Sequence, residues 1–195
     1  MIACNDMSLA NESLQLWKSR GNEVEPDRSR GAGLYFTRIQ IAHLFEAIAI
    51  IEGIVADESL RTLVDQCDCR TKKSFEKLSE YIPRGAKRAD LVNMVEKVRH
   101  GVVFHYNSDK LISRAIDENS DKEREASIRR GSEAFLWHFA AGDAVVHDMV
   151  VRQIWKLPND ASQEDVDNVV TKIHDIFLLY FDFAGEFIWK FSGRS

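Results

Sequence analysis

The chain predicts an all-α fold, an antiparallel bundle of about five principal helices plus short ones. Three observations carry that expectation. Apolar residues recur at three- and four-residue spacing along most of the chain. Alternating strand patterns are absent. Only three prolines interrupt 195 residues, and a hydrophobic content of 45% suffices to build a core at this length. The pattern divides into an N-terminal helix and loop over 1–32 and a single helical bundle over 33–195.

Residues 1–32 hold a weak apolar pattern, Leu9, Leu14, Leu16 and Trp17, followed by a polar, glycine-punctuated stretch from Arg20 to Gly33 that reads as a loop. From Leu34 to Val55 the apolar density is high, with Phe36, Ile39, Ile41, Leu44, Phe45, Ile48, Ile50, Ile51 and Ile54. A helix apolar on most of its circumference belongs in the middle of a bundle. Gln40, His43, Glu46 and Glu52 interrupt Ile39–Val55, so no apolar run is expected to span a membrane. His43 and Glu46 stand three apart, a spacing open to metal ligation and more commonly to a hydrogen-bonded buried pair.

Asp57–Ile82 predicts a more polar helix with Leu60, Leu63, Val64, Cys67, Phe75 and Leu78 inward, ended by Pro83 and Gly85. Cys67 and Cys69 form a lone Cys-x-Cys without the second pair of a structural zinc site, and read as ordinary buried thiols.

Ala89–Asp109 crowds an arginine, two histidines and a tyrosine into a short span. Leu91, Met94, Val95, Val98 and Val102 share one helical face. His105 continues that stripe, Arg99 lies at its edge and His100 points away. In an unbroken helix Arg99 and His105 are roughly 9 Å apart along the axis and about 120° apart around it. They meet on one ligand only through the length of the arginine, a break near Gly101, or a second copy of the helix. Asn107, Ser108 and Asp109 carry turn and cap chemistry, and Leu111, Ile112, Ala115 and Ile116 open a new period, so His105 is expected at a helix end. That location favours a protonated imidazole, histidine exchanges protons near neutral pH, and the arginine fork matches phosphate. Together they suit a phosphodiester site. The plainer account makes His105 a satisfied core or cap residue and pairs Arg99 with Glu96 or Asp90.

Asn119–Arg130 is charged and weakly periodic, an exposed loop or a solvated helix start. Ser132–Trp155 predicts a helix through Phe135, Leu136, Phe139, Val145, Val146, Met149, Val150 and Ile154; its His138 and His147, nine apart, do not share a face. Ser162 to Asp165 carries the cap of the last helix, which continues through Val169, Ile173, Phe177, Tyr180, Phe183 and Phe187 with an aromatic load that suits a second subunit.

The net charge of −5 argues against a broad nucleic-acid-binding surface. The average conceals an asymmetry: between Arg70 and Arg99 nine basic residues face four acids, a local excess of five positive charges leading into the arginine–histidine cluster, where a polyanion would dock. The first residues show no basic region followed by an apolar one, and the expectation is a cytoplasmic protein.

The segment Glu96-Lys97-Val98-Arg99-His100-Gly101-Val102-Val103-Phe104-His105-Tyr106-Asn107 resembles the signature of the HEPN superfamily. That signature is an arginine, commonly a polar residue, and a histidine after a spacer of roughly four to six residues, late in a helix of an all-α bundle. Here the spacer is five residues and His100 fills the polar place. The resemblance covers about a dozen residues. It implies a bundle that dimerises with both arginine–histidine pairs facing one cleft. It also implies RNA cleavage without metal or cofactor, as the toxin of a toxin–antitoxin or phage-defence pair. His105 would be the general acid or base and Arg99 the phosphate-stabilising cation. His100, Tyr106, Asn107 and Lys97 would orient the site or contact substrate. A nucleotidyltransferase antitoxin is one partner it suggests, but such a partner modifies a tyrosine two residues beyond the histidine, and position 107 is asparagine with Tyr106 adjacent.

Two other readings stand beside it. One is a non-catalytic helical module that binds a protein partner. The other is a metalloprotein using His43, His138, His147 or His174, which predicts bound metal and loss of function on chelation.

Overall fold

The computed structural model describes residues 1–20, 26–103, 109–120, 128–129 and 138–193, and the architecture is an all-α helical bundle. Its α-helices are α1 (Ile2–Ser19), α2 (Pro26–Ala56), α3 (Glu58–Asp65), α4 (Cys69–Ser79), α5 (Arg88–Leu91), α6 (Asp109–Ser120), α7 (Ala140–His147) and α8 (Gln163–Phe191). α5 runs on through two stretches of wider, π-type turns, Val92–Glu96 and Arg99–Val103, and α7 runs into a third, Asp148–Ile154. Among the described residues, extended structure is confined to one ladder, β1 (Ile128–Arg129) antiparallel to β2 (His138–Phe139), with Ile128 opposite Phe139.

The centre of the bundle is α2, because its apolar residues cover several sides at once. Ile41, Leu44, Ala47 and Ile51 are completely buried, and Ile48 and Ile54 nearly so. Burying each isoleucine or leucine contributes about 1.5–3 kcal/mol relative to leaving it in water, which fixes a 31-residue helix in place. α1 lies antiparallel on α2: Gln40 Nε2 donates to Asn11 Oδ1 at 3.3 Å, and His43 Nδ1 lies 3.9 Å from Asp6 Oδ2. α4 lies antiparallel on α8, with Arg70 Nη2 2.5 Å from Asp182 Oδ1 and the Asp68 backbone N–H donating to both Glu186 carboxylate oxygens at 2.9 and 3.1 Å. The helix that continues α5 packs against α2 through Leu91, Val95, Val98 and Val102, all fully buried. The stripe expected there is therefore the one the core uses.

Several boundaries differ from expectation. The loop over Arg20 to Gly33 gives way to helix at Pro26, since proline's fixed φ suits the first helical position and its missing N–H costs nothing there. The boundary expected at 32/33 consequently falls inside α2, and Met7 of α1 belongs to the same core as Ile41 and Leu44. α1 buries Met7, Ala10 and Leu14, while Leu9 and Leu16 are exposed. The single helix expected over Asp57–Ile82 breaks at Gln66 to Asp68, where the Asp68 carboxylate accepts from the Thr71 N–H at 2.7 Å and restarts the chain as α4. That break leaves Cys67 buried but puts Cys69 on the surface, against the expectation of two buried thiols. The helix expected from Ser132 is described from Ala140, preceded by β2, and a two-residue strand leaves no period to read.

α2 also corrects the statement about apolar runs. Gly31–Ala56 is 26 residues long and, by length and composition, apolar enough to cross a membrane, although 44% of its most apolar window is buried inside this fold. Within the bundle it is the core helix.

Candidate functional site

The helix that carries Arg99 owes its geometry to its wide turns. The Lys97 N–H reaches back five residues to the Val92 carbonyl, so the helix advances less per residue around its axis than an α-helix does. An angle of 100° per residue therefore misplaces residues beyond this point. Two carbonyls of this helix accept from side chains of other elements: Trp155 Nε1 donates to Met94 O at 3.1 Å, and Arg38 Nη1 donates to Val102 O at 2.9 Å. Gly101 lies within the second wide stretch, where a methyl group would stand 3.5 Å from Leu111 Cδ1 and 3.7 Å from Ile154 Cδ1. Those are ordinary contact distances, so α6 and the end of the π-type stretch after α7 leave room for a methyl group there.

Arg99 projects from the edge of the buried stripe and lies across α2. Its Nη2 donates to Glu46 Oε1 at 3.0 Å, its Nη1 is 3.3 Å from His100 Nδ1, and its Cζ sits 5.4 Å from the Phe45 ring centroid. The exposed His100 ring meets the same Phe45 edge-on at 5.4 Å. Phe45 and Glu46 thus form a floor and a counter-charge that hold the Arg99 and His100 side chains side by side. The Arg99 side chain is 29% exposed and that of Glu46 56%, so the guanidinium keeps a face toward solvent.

Of the expected site residues, Arg99 and His100 are brought together. Lys97 is not part of that group, because its Nζ donates to Asn93 Oδ1 at 2.7 Å, one turn back. His105, Tyr106 and Asn107 lie outside the described residues. The carboxylate partner of Arg99 is Glu46 on another helix; Glu96 pairs with Arg88 instead. Sequence reasoning named Glu46 only as a companion of His43, and the two separate here, His43 toward Asp6 and Glu46 toward Arg99. Arg38 was missed; its one signal is a cation among Phe36, Ile39 and Ile41 in an apolar helix.

The basic stretch from Arg70 to Arg99 is partly cancelled in place. Arg70 pairs with Asp182, Lys87 with Glu80, Arg88 with Glu96 and Arg99 with Glu46. Lys73, Lys77 and Arg84 are exposed and make no ion pair among the described residues. The positive field that remains is narrower than the residue count suggested.

Among the described residues no three histidine, cysteine or carboxylate side chains gather at metal-binding distance. His174 stacks on Phe177 at 5.8 Å, and the side chain of His138 lies outside the described residues. Elsewhere, α2, α3 and α8 enclose an apolar cleft of about 260 Å³ lined by Ile54, Leu60, Phe183 and Phe187, with Met1, Ile50 and Phe191 exposed at its edge. Burial of Tyr180, which also lines the cleft, pushes its phenol up to about 12. Compared with protein-family models, curated proteins and solved structures, the chain matches none.

Proposed function

We propose that this chain is a metal-independent endoribonuclease of HEPN type, acting in the cytoplasm as the toxin of a toxin–antitoxin or phage-defence pair. The observation that carries the reading is Arg99: a partly exposed guanidinium at the edge of a buried helical stripe, cradled by Phe45 and Glu46, beside His100 and six residues before His105 in an all-α bundle. In the proposed reaction the RNA 2′-hydroxyl attacks the adjacent phosphorus, His105 accepts its proton, and the bond to the 5′-oxygen breaks as the protonated His105 of the second copy gives that oxygen a proton. The products are a 2′,3′-cyclic phosphate and a 5′-hydroxyl. Arg99 stabilises the charge that grows on the non-bridging oxygens. DNA lacks the attacking hydroxyl and survives. A homodimer sharing one cleft would supply two such pairs, and the physiological partner would be an antitoxin protein.

The test is induction of the wild-type chain beside Arg99→Ala and His105→Ala, following total RNA with and without chelator. The reading requires RNA loss in the wild type that chelator does not prevent, and intact RNA in both variants when soluble and folded. RNA loss that persists in either variant overturns it.

The apolar cleft beside Phe187 and Phe191 favours a second reading, a non-catalytic bundle that binds a protein partner. That reading requires intact RNA and normal growth in all three inductions, in a host without a matching antitoxin.

A further inference from the structure

Two charged side chains are buried among the described residues, Asp148 and Arg38. Asp148 is answered by Arg152 Nε at 3.3 Å and by Gln153 Nε2 at 3.1 Å. Arg38, only 7% exposed, has no carboxylate partner among the described residues. Among the described residues its single hydrogen bond is the one from Nη1 to the Val102 carbonyl; its Nε is buried without a partner there, and its Cζ lies 5.8 Å from the Tyr35 ring centroid. Packing alone does not account for this. A methionine would fill similar space without burying a charge, and a buried guanidinium so sparsely bonded is costly.

What distinguishes Arg38 is where its one bond falls. Val102 is the third residue after Arg99 and the third before His105. Its carbonyl belongs to the wide-turned stretch Arg99–Val103, whose turns depart from the α-helical 3.6 residues. A charge-assisted donor on a rigid fork holds such a carbonyl more tightly and in a narrower geometry than a neutral group. Arg38 is itself fixed by α2, the central helix, which also supplies Phe45 and Glu46 beneath Arg99. One helix therefore grips the arginine of the pair and the turn that leads from it toward the histidine.

We propose that Arg38 is a positioning residue for the arginine–histidine site: its bond to Val102 fixes the wide-turned stretch Arg99–Val103 that carries Arg99. The inference rests on the ribonuclease reading. Arg38 touches neither substrate nor reacting atoms in this role and acts through the backbone.

The experiment compares full-length wild type, Arg38→Met, Arg38→Lys and Trp155→Phe. Trp155→Phe is the control, because it removes the other side-chain bond to a carbonyl of this helix, at Met94. Each is measured for kcat and KM on RNA, for circular dichroism, and for amide hydrogen exchange at Gly101 to Val103 and at Val95. Arg38→Met is expected to keep its helical spectrum, to lose kcat about 100-fold with KM nearly unchanged, and to exchange faster at Gly101 to Val103 but not at Val95. Arg38→Lys, which keeps the charge without the fork, should fall between, and it carries the same test should Arg38→Met fail to fold. Trp155→Phe should keep its kcat.

Wild-type kcat in the folded Arg38 variants overturns the proposal. So does a rise in KM at constant kcat, which would make Arg38 a substrate contact, or an equal loss of kcat in Trp155→Phe, which would mark general damage. An inactive wild type overturns the ribonuclease reading instead. Unchanged exchange at Gly101 to Val103 in Arg38→Met overturns the positioning role whatever the activity.

Discussion

Glu46 Oε1 on α2 accepts a hydrogen bond from Arg99 Nη2 at 3.0 Å, so the cation proposed to meet RNA phosphate is already answered by a carboxylate from another helix. The pair is open to water on both sides, with Glu46 more exposed than Arg99. A pair of this kind contributes about 0–1 kcal/mol to stability. It has a second effect on a polyanion, which must displace or tolerate the carboxylate. Glu46→Gln is therefore expected to lower KM for RNA by up to about 5-fold at low salt, with stability changed by less than about 1 kcal/mol. Steady-state kinetics at two ionic strengths checks this, and an increase in KM would show that Glu46 helps to hold Arg99 and does not compete with substrate.

Two glycines beside the motif helix are expected to respond in opposite directions to the same substitution. A methyl group at Gly85 would lie 2.3 Å from the Glu80 carbonyl oxygen and 2.5 Å from its carbon, inside the turn that leads from α4 to α5. Gly85→Ala should cost about 1–3 kcal/mol. At Gly101 the nearest atoms stand at ordinary contact distance, and the residue lies within a helix. Gly101→Ala should stabilise by about 0.5–1 kcal/mol, because alanine loses less backbone entropy on folding. Urea midpoints of the two variants decide the matter; destabilisation by Gly101→Ala would place a tighter contact at that turn.

The α4–α8 side of the core depends on Phe183. Its ring is 2% exposed and lies 5.3 Å from that of Phe75 and 4.9 Å from that of Phe187. Phe183→Ala should cost about 3–5 kcal/mol and Phe183→Leu less than about 2 kcal/mol, since leucine refills most of the volume. Chemical denaturation provides the comparison. Equal losses in both would mean that ring geometry, not volume, is what the site requires.

Acid should weaken three helix starts together. The Ser59 hydroxyl holds the Asp57 carboxyl below its ordinary 3.8, the Thr71 backbone N–H does so for Asp68, and the Ser162 hydroxyl for Asp165. A carboxyl whose folded value is depressed contributes fully above its unfolded value and loses that contribution as pH falls through the folded one. Tm is thus expected to be level from about pH 7 to 5 and to fall below about pH 4. Asp165→Ala should melt below the wild type at neutral pH, and the gap should close in acid. A gap of constant size across that range would mean that protonation of Asp165 does not matter to the fold.

The helices and their buried stripes were legible in the residue order because they repeat locally. Leu91, Val95, Val98 and Val102 share a face by spacing alone, and Ser162 with Asp165 closes a capping box within three residues of chain. Arg99 could likewise be placed at the stripe's edge before any partner was known. The division of Asp57–Ile82 was less visible, since besides the local Asp68 cap on Thr71 the break is held by Glu186, far away in sequence, which takes the Asp68 backbone N–H.

Partner choice belongs to the packed chain. Arg99 had acids nearer in sequence, Glu96 and Asp90, yet it pairs with Glu46, fifty-three residues away, because α2 runs antiparallel beneath it. Arg38 reaches Val102 across sixty-four residues for the same reason. Periodicity reports which side of a helix is apolar, since that follows from 3.6 residues per turn. It carries no information on which neighbouring helix meets that side, at what height, or where a turn widens, and these set the surroundings of Arg99 through long-range burial.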